Sequence, residues 1–152
     1  MIQRIQSIYL LVVSLLMASI FIFPFAELLG ANGQLFIFSF NGLSIENEEG
    51  MYLLTIPPMI LLIMIVFISF FSIFLYKKRV IQMRVNFFNM MLMLGYLGLN
   101  YYYIQNFSQQ LDGIVSYQVT AIFPIISAVI TYLAIRAIGK DEALIRSMDR
   151  IR

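Results

Sequence analysis

Four long runs of apolar residues constrain the fold of this chain more than any other feature. Each has roughly the 20 residues needed to cross a hydrocarbon core about 30 Å thick. Lipid offers the backbone no hydrogen-bond partners, so segments that cross it should be helical. The runs cover about residues 8–28, 51–76, 85–104 and 117–137. They predict a single membrane domain over residues 1–152, an all-α integral membrane protein with a four-transmembrane-helix bundle.

Composition supports a membrane protein over a soluble one. The chain is 61% hydrophobic and 12% charged, whereas a soluble domain is about 45–50% apolar and about 25% charged. A chain of this size cannot hide so much apolar surface in its own core. A soluble enzyme and a nucleic-acid-binding domain are therefore both disfavoured.

The basic residues predict the orientation in the membrane. All ten lie before the first run, between the second and third, or at and beyond the end of the fourth: Arg4, Lys77, Lys78, Arg79, Arg84, Arg136, Lys140, Arg146, Arg150 and Arg152. Five of the eight acids lie at the opposite ends of the runs or in the segments that join those ends: Glu27, Glu46, Glu48, Glu49 and Asp112. The positive-inside rule then places both termini and the tail 138–152 in the cytoplasm, and the loop 29–50 outside.

The basic residues also predict an interaction surface on the cytoplasmic side. Those at Arg4, Lys77, Lys78, Arg79, Lys140, Arg146 and Arg150 form a candidate cytoplasmic interface, for anionic lipid or for a protein. The net charge of +2 is the sum of a basic side and an acidic side of the membrane protein, so it implies no nucleic-acid partner.

The first run could imitate a signal peptide. Because the run is longer than a typical signal core and no small-x-small site follows, we expect an uncleaved span.

Two connecting segments have recognisable local patterns. Residues 35–40 and 43–45 flank Asn41-Gly42, which predicts a short β-hairpin with a type I′ turn. Phe36, Phe38 and Phe40 alternate onto one face, which we expect on the helix ends or the membrane surface. This hairpin is either a cap that closes the bundle or a lid that docks a partner. In the tail, apolar residues at helical spacing predict a separate C-terminal amphipathic helix with Asp141 in its first turn.

The third run differs from the other three in having two faces that are not lipid-like. Polar residues recur along one face at three- and four-residue steps, including Asn86, Asn89, Tyr96 and Asn100. Gly95 and Gly98 lie on the far side, with Met91 and Tyr102. Either this helix is packed centrally, or one face meets another chain. Asparagine often joins helices in lipid, and small residues let helices approach. The candidate contacts with a partner or within the bundle are therefore Asn86, Asn89, Tyr96, Asn100, Gly95 and Gly98.

The other runs show one small or polar stripe each, including Ser69 and Ser72 in the second and Ser127 and Thr131 in the fourth. Such stripes favour close helix packing. Pro24 and Pro124 are expected to kink the first and fourth spans.

The sequence shows no arrangement that points to catalysis. It contains no Cys and no His, and no acidic or basic residue lies in the middle of a run. We predict no catalytic residues, no metal and no cofactor, and we expect that the protein is not an enzyme.

Both ends of the chain resemble a bacterial membrane family, the domain of unknown function 4293 of Bacteroidota. The resemblance rests on MIQRIQSIYL at residues 1–10, FPF at 23–25 and IGKDEALIRSMDRIR at 138–152. It implies a small four-span protein of the bacterial inner membrane, of uncharacterised role, and supplies no site residues. Since both end motifs are placed on the cytoplasmic side, they could meet in one surface patch.

Two functions follow from these patterns. The first is a structural or accessory subunit of a larger inner-membrane complex, whose partners are membrane lipids and another integral membrane protein. The alternative is binding or passive transport of a lipid or small apolar molecule, in a cavity lined by Asn89, Tyr96 and Asn100.

Overall fold

The computed structural model describes residues 3–31, 33–45 and 51–149. Within them the chain forms four α-helices: α1 (Gln3–Ser19), α2 (Ile56–Phe74), α3 (Arg79–Leu111) and α4 (Phe123–Asp149). It also forms five strands: β1 (Ala26–Leu29), β2 (Leu35–Ser39), β3 (Gly42–Ile45), β4 (Met51–Leu54) and β5 (Ile114–Tyr117). Two 3-10 turns, Leu75–Lys77 and Val119–Ile122, lead into α3 and α4.

The predicted fold class, an all-α four-transmembrane-helix bundle, is wrong. The strands form one antiparallel sheet in the order β4–β3–β2–β1–β5. Of the residues that the structure describes, only Ile56–Phe74 and Val119–Leu144 are helical, long and apolar enough to cross a membrane. The fold is therefore mostly helical with a substantial sheet.

The error comes from reading apolar runs as helices along their whole length. The first run ends in β1, the second begins with β4, and the fourth begins at the last residue of β5. Apolar content alone does not separate a buried strand from a helix. As a result α1 has only 17 residues. Helix α3 has 33 residues, but the asparagines on its inner face lower its hydropathy.

The prolines mark helix starts instead of kinks. Pro57 and Pro58 lie in the first turn of α2, and Pro124 is the second residue of α4. Pro24 lies in the connection between α1 and β1. A proline at a helix start loses no hydrogen bond, because the first N–H groups have no partner in the helix. The expected kinks at Pro24 and Pro124 are therefore wrong.

The predicted hairpin is confirmed as β2 and β3, within the larger sheet. Ser39 pairs with Gly42, so the loop consists of Phe40 and Asn41. A type I′ turn needs positive φ at both loop residues, and neither has it, so the predicted turn type is wrong. Gly42 instead has φ 142°, and a Cβ there would lie 2.1 Å from the carbonyl oxygen of Leu53. This glycine permits the close approach of β4.

The aromatic face of the sheet lies against the helices, as expected. Phe36 is 4% exposed and Phe38 is fully buried. The ring of Phe38 lies 6.0 Å from that of Phe107 in α3, and Phe40 lies 5.1 Å from Phe21, just beyond α1. The core therefore continues from the helices into the sheet.

The helices pack in the cyclic order α1, α2, α3, α4, with α4 returning to α1. Each helix joins the sheet at one end, through β1, β4 or β5. The opposite ends, which we call the basic end, comprise the starts of α1 and α3 and the ends of α2 and α4. Helix α4 runs unbroken to Asp149, so the tail to that residue continues α4 and is not a separate amphipathic helix. The predicted outer acids Glu46, Glu48 and Glu49 lie outside the described residues.

Candidate functional site

The polar face of α3 points into the molecule. Asn86, Asn89, Tyr96 and Asn100 are each at most 2% exposed, and so is Gln82. The small polar residues predicted to line the other helices are buried as well: Ser69, Ser72, Ser127 and Thr131. In this respect the prediction of inward polar stripes is confirmed.

Hydrogen bonds from this face tie α3 to α2. The Nδ2 of Asn89 donates to the Oγ of Ser69 at 2.7 Å. The Nε2 of Gln82 donates to the carbonyl oxygen of Ser72 at 2.8 Å. One of the predicted contacts, Asn100, bonds instead within α3, from its Nδ2 to the carbonyl oxygen of Tyr96 at 2.8 Å.

Much of the hydrogen-bonding capacity of this face is unused. We call Gln82, Asn86 and Asn89, with Ser69 and Ser72, the amide cluster. Neither amide atom of Asn86 has a partner, although the residue is fully buried. The Oε1 of Gln82, the Oδ1 of Asn89 and the Oγ of Ser72 also have none. A buried polar group without a partner costs about 1–3 kcal/mol, so this cluster is an energetic weak point or a place for a polar occupant.

The glycines of α3 lie on the opposite, outward side. Gly95 and Gly98 are exposed, and a Cβ added to either would meet nothing within 4 Å. Met91 and Tyr102, 45% and 61% exposed, continue the same stripe. We call these four residues the glycine face. The two interpretations of α3 thus apply to different faces: the polar face packs centrally, and no described residue of this chain covers the two glycines of the glycine face.

The remaining outward surface of the helices is strongly apolar. Large hydrophobic side chains that are at least 40% exposed include Leu11 and Leu15 of α1, Phe67, Phe70 and Phe71 of α2, Phe87 and Phe88 of α3, and Val129 and Leu133 of α4. A soluble protein rarely exposes contiguous apolar patches larger than a few hundred Å². A water-soluble bundle buries apolar side chains and exposes polar ones, whereas here apolar side chains face outward and amides are buried.

At the basic end the structure brings the two end motifs together. The Nε2 of Gln6 in α1 donates to the Oδ2 of Asp141 in α4 at 2.5 Å, and both residues are buried. Asp141 therefore lies inside α4 and is not in the first turn of a tail helix. Its burial was missed because Lys140 and Glu142 beside it suggest an exposed segment.

The candidate cytoplasmic interface is only partly described. Lys78 and Lys140 are exposed, whereas the Nη1 of Arg79 is buried without a partner. Arg4, Lys77 and Arg146 lie on described backbone, but their side chains are outside the described set. Arg150 is outside it altogether.

Two surface cavities in the described part of the chain bear on the candidate sites. One, of about 480 Å³, lies between α1 and α4 at the basic end. The other, of about 400 Å³, lies where the sheet meets the end of α3. Neither is lined by Asn89, Tyr96 or Asn100. No group of three or more Asp or Glu residues suited to a metal occurs among residues 3–31, 33–45 and 51–149.

A family model described as "Domain of unknown function (DUF4293)" matches residues 2–151. Neither a curated protein nor a solved structure matches the chain.

Proposed function

We propose that this chain, which belongs to the DUF4293 family, is an accessory subunit of a bacterial inner-membrane complex. The match confirms the resemblance carried by the two ends of the sequence. In this proposal the helices lie in lipid and the glycine face of α3 binds another membrane protein. The observation that carries the proposal is that this face is open while the polar face of the same helix is buried.

The membrane location rests on two features. Ile56–Phe74 and Val119–Leu144 have the length and composition to cross a membrane. Apolar side chains cover the outer surface of all four helices, whereas the amides lie inside. In lipid, outward hydrocarbon side chains have no solvation cost, and inward polar groups can bond between helices. We therefore propose a multi-pass membrane protein.

The orientation follows from where the two ends of the helices lie. The basic end carries the exposed Lys78, Arg84 and Lys140, and the sheet end carries Glu27 and Asp112. By the positive-inside rule the basic end faces the cytoplasm. The first and last described residues, Gln3 and Asp149, belong to the basic end, so both termini are proposed to be cytoplasmic, with the sheet on the opposite side.

The glycine face is the proposed contact with the partner. Small residues let two helix backbones approach closely in a bilayer, where packing replaces the hydrophobic effect as the driving force. Glycine also weakens a helix by about 0.8–1.0 kcal/mol relative to alanine. Two outward glycines with nothing packed on them thus have a local cost, which a partner helix in the notch between Met91 and Tyr102 would offset.

The test adds side chains to the glycine face. In a Gly95→Leu, Gly98→Leu variant the added Cβ atoms would meet nothing within 4 Å among the described residues, and both positions are exposed, so the fold should remain intact. A tagged chain is purified from its native membrane in mild detergent, and mass spectrometry quantifies the membrane proteins that accompany it. We expect a stoichiometric partner with the wild type and its loss with the variant.

A matched control adds bulk elsewhere at similar depth. Val129 is 55% exposed on α4, and nearby Thr131 contacts Met93 of α3, two residues before Gly95. Val129→Phe should keep the partner. Recovery of the wild-type chain alone, or equal loss of the partner in both variants, would contradict the proposal and favour the lipid-binding alternative.

A further inference from the structure

The cavity between α1 and α4 has the features of a site for an amphiphilic anion. It is an open groove of about 480 Å³ at the basic end. Its walls include Ile5 and Leu144, 49% and 55% exposed, and Leu133, 42% exposed. Tyr9 contributes a phenol from α1, and Arg136 and Lys140 contribute cations from α4. Hydrocarbon and positive charge therefore line the same space.

The two cations are placed to act together. Arg136 and Lys140 are four residues apart on α4, so they stand one turn apart on the same face. Both are exposed, and neither forms an ion pair with a carboxylate among the side chains that the structure describes. The one acid that lines the groove, Asp141, is 7% exposed and accepts a hydrogen bond from Gln6. The groove is thus left with net positive charge.

We propose that this groove binds an anionic phospholipid. The phosphodiester lies between Arg136 and Lys140, and the Tyr9 hydroxyl donates to it. The acyl chains lie along Leu133 and the apolar surface of α1 and α4 toward the sheet. The lipid source is favoured over a soluble phosphate because apolar walls adjoin the cations, and basic pockets between helices on the cytoplasmic side suit lipid headgroups. The inference rests on the membrane location proposed above and is independent of any partner at the glycine face.

Native mass spectrometry of the full chain in detergent tests this site. Phosphatidylglycerol and phosphatidylcholine, with matched acyl chains, are added separately and the bound fraction of each is measured. We expect tight, stoichiometric binding of phosphatidylglycerol alone. The Arg136→Gln, Lys140→Gln variant should bind it about 25-fold more weakly, because each Lys or Arg near an anionic surface contributes about a fivefold factor.

Two further variants separate a built site from general charge attraction. Lys78→Gln, Arg84→Gln removes the same charge from exposed positions of the basic end that do not line the groove, and it should bind phosphatidylglycerol as the wild type does. Ala137→Phe fills the groove from α4 without changing any charge, and it should weaken binding even if the glutamine variant does not fold.

Three outcomes would overturn the proposal. Equal weakening by both glutamine variants would mean non-specific attraction. Equal bound fractions of phosphatidylcholine and phosphatidylglycerol would mean that Arg136 and Lys140 do not select an anionic headgroup. Displacement of phosphatidylglycerol by an equal concentration of its water-soluble deacylated headgroup would identify a phosphate site and not a lipid site. The membrane location is checked separately by alkaline extraction of membranes, and the partner by co-purification, so failure of either is distinguishable from failure of the groove.

Discussion

Replacing Asn86 by leucine should make the protein more stable. Asn86 is fully buried on α3, and neither its Oδ1 nor its Nδ2 has a hydrogen-bond partner. Leucine has the same number and branching of side-chain heavy atoms as asparagine, so the substitution removes two unsatisfied polar atoms without opening a cavity. Asn86→Leu therefore measures the free-energy cost of burying an amide that has no hydrogen-bond partner.

The expected gain follows from the two atoms removed. Each unsatisfied buried group costs about 1–3 kcal/mol in a soluble protein. In a bilayer the reference state also finds partners for polar groups, and measured hydrogen bonds average only about 0.6 kcal/mol. Applying that smaller value to both atoms gives an increase of about 1 kcal/mol in the free energy of unfolding.

Asn100 provides the matched control on the same helix. It is 2% exposed, and its Nδ2 donates to the carbonyl oxygen of Tyr96 at 2.8 Å. Asn100→Leu loses that bond, so we expect a decrease of about 0.6 kcal/mol. The same chemical change should thus move stability in opposite directions at the two positions.

The assay is reversible unfolding in mixed micelles with increasing dodecyl sulfate, followed by far-ultraviolet circular dichroism. The transition midpoint should rise for Asn86→Leu and fall for Asn100→Leu. Equal destabilisation by both substitutions would refute the reasoning. It would mean that the Asn86 amide bonds to a polar molecule held in the amide cluster, and that molecule could then be sought.

Three other perturbations test the fold. Phe38→Ala should lower the free energy of unfolding by about 3–5 kcal/mol, since this fully buried ring joins the sheet to α3; thermal unfolding in detergent measures it. Gly42→Ala should lower the melting temperature and Gly98→Ala should not, because only the first new methyl group meets backbone; equal melting temperatures would contradict the β3–β4 approach. Cysteines at Gln6 and Asp141 should be joined by a short thiol-to-thiol cross-linker, seen as a mobility shift, because the native side chains at these positions are in contact.

The sequence was informative where residue type and periodicity agree. The three- and four-residue spacing of Asn86, Asn89 and Asn100 placed them on one face, and that face is buried. The alternating phenylalanines of β2 predicted the face that packs on the helices. Both inferences depend on the period of a regular element, which local backbone geometry fixes.

The sequence was misleading where an apolar run contains two kinds of structure. Ala26–Leu29 and Met51–Leu54 are as apolar as the helices beside them, yet they are strands because partners across the chain complete the sheet. β1 pairs with β5, far along the sequence. Such pairing cannot be read from local composition, and neither could the contact of Gln6 with Asp141, which are 135 residues apart.

The position of β1 between β2 and β5 has a consequence for synthesis of the chain. β2 follows β1 at once, but β5 is made only after α2 and α3. Gln118, which bonds to Glu27 at 2.7 Å, is 91 residues later in the sequence. At roughly 5–20 residues per second, one edge of β1 waits about 5–18 s for its partner. During that interval the unfinished sheet exposes a strand edge that another strand could occupy, so assembly of this protein depends on keeping that edge vacant until α3 has been made.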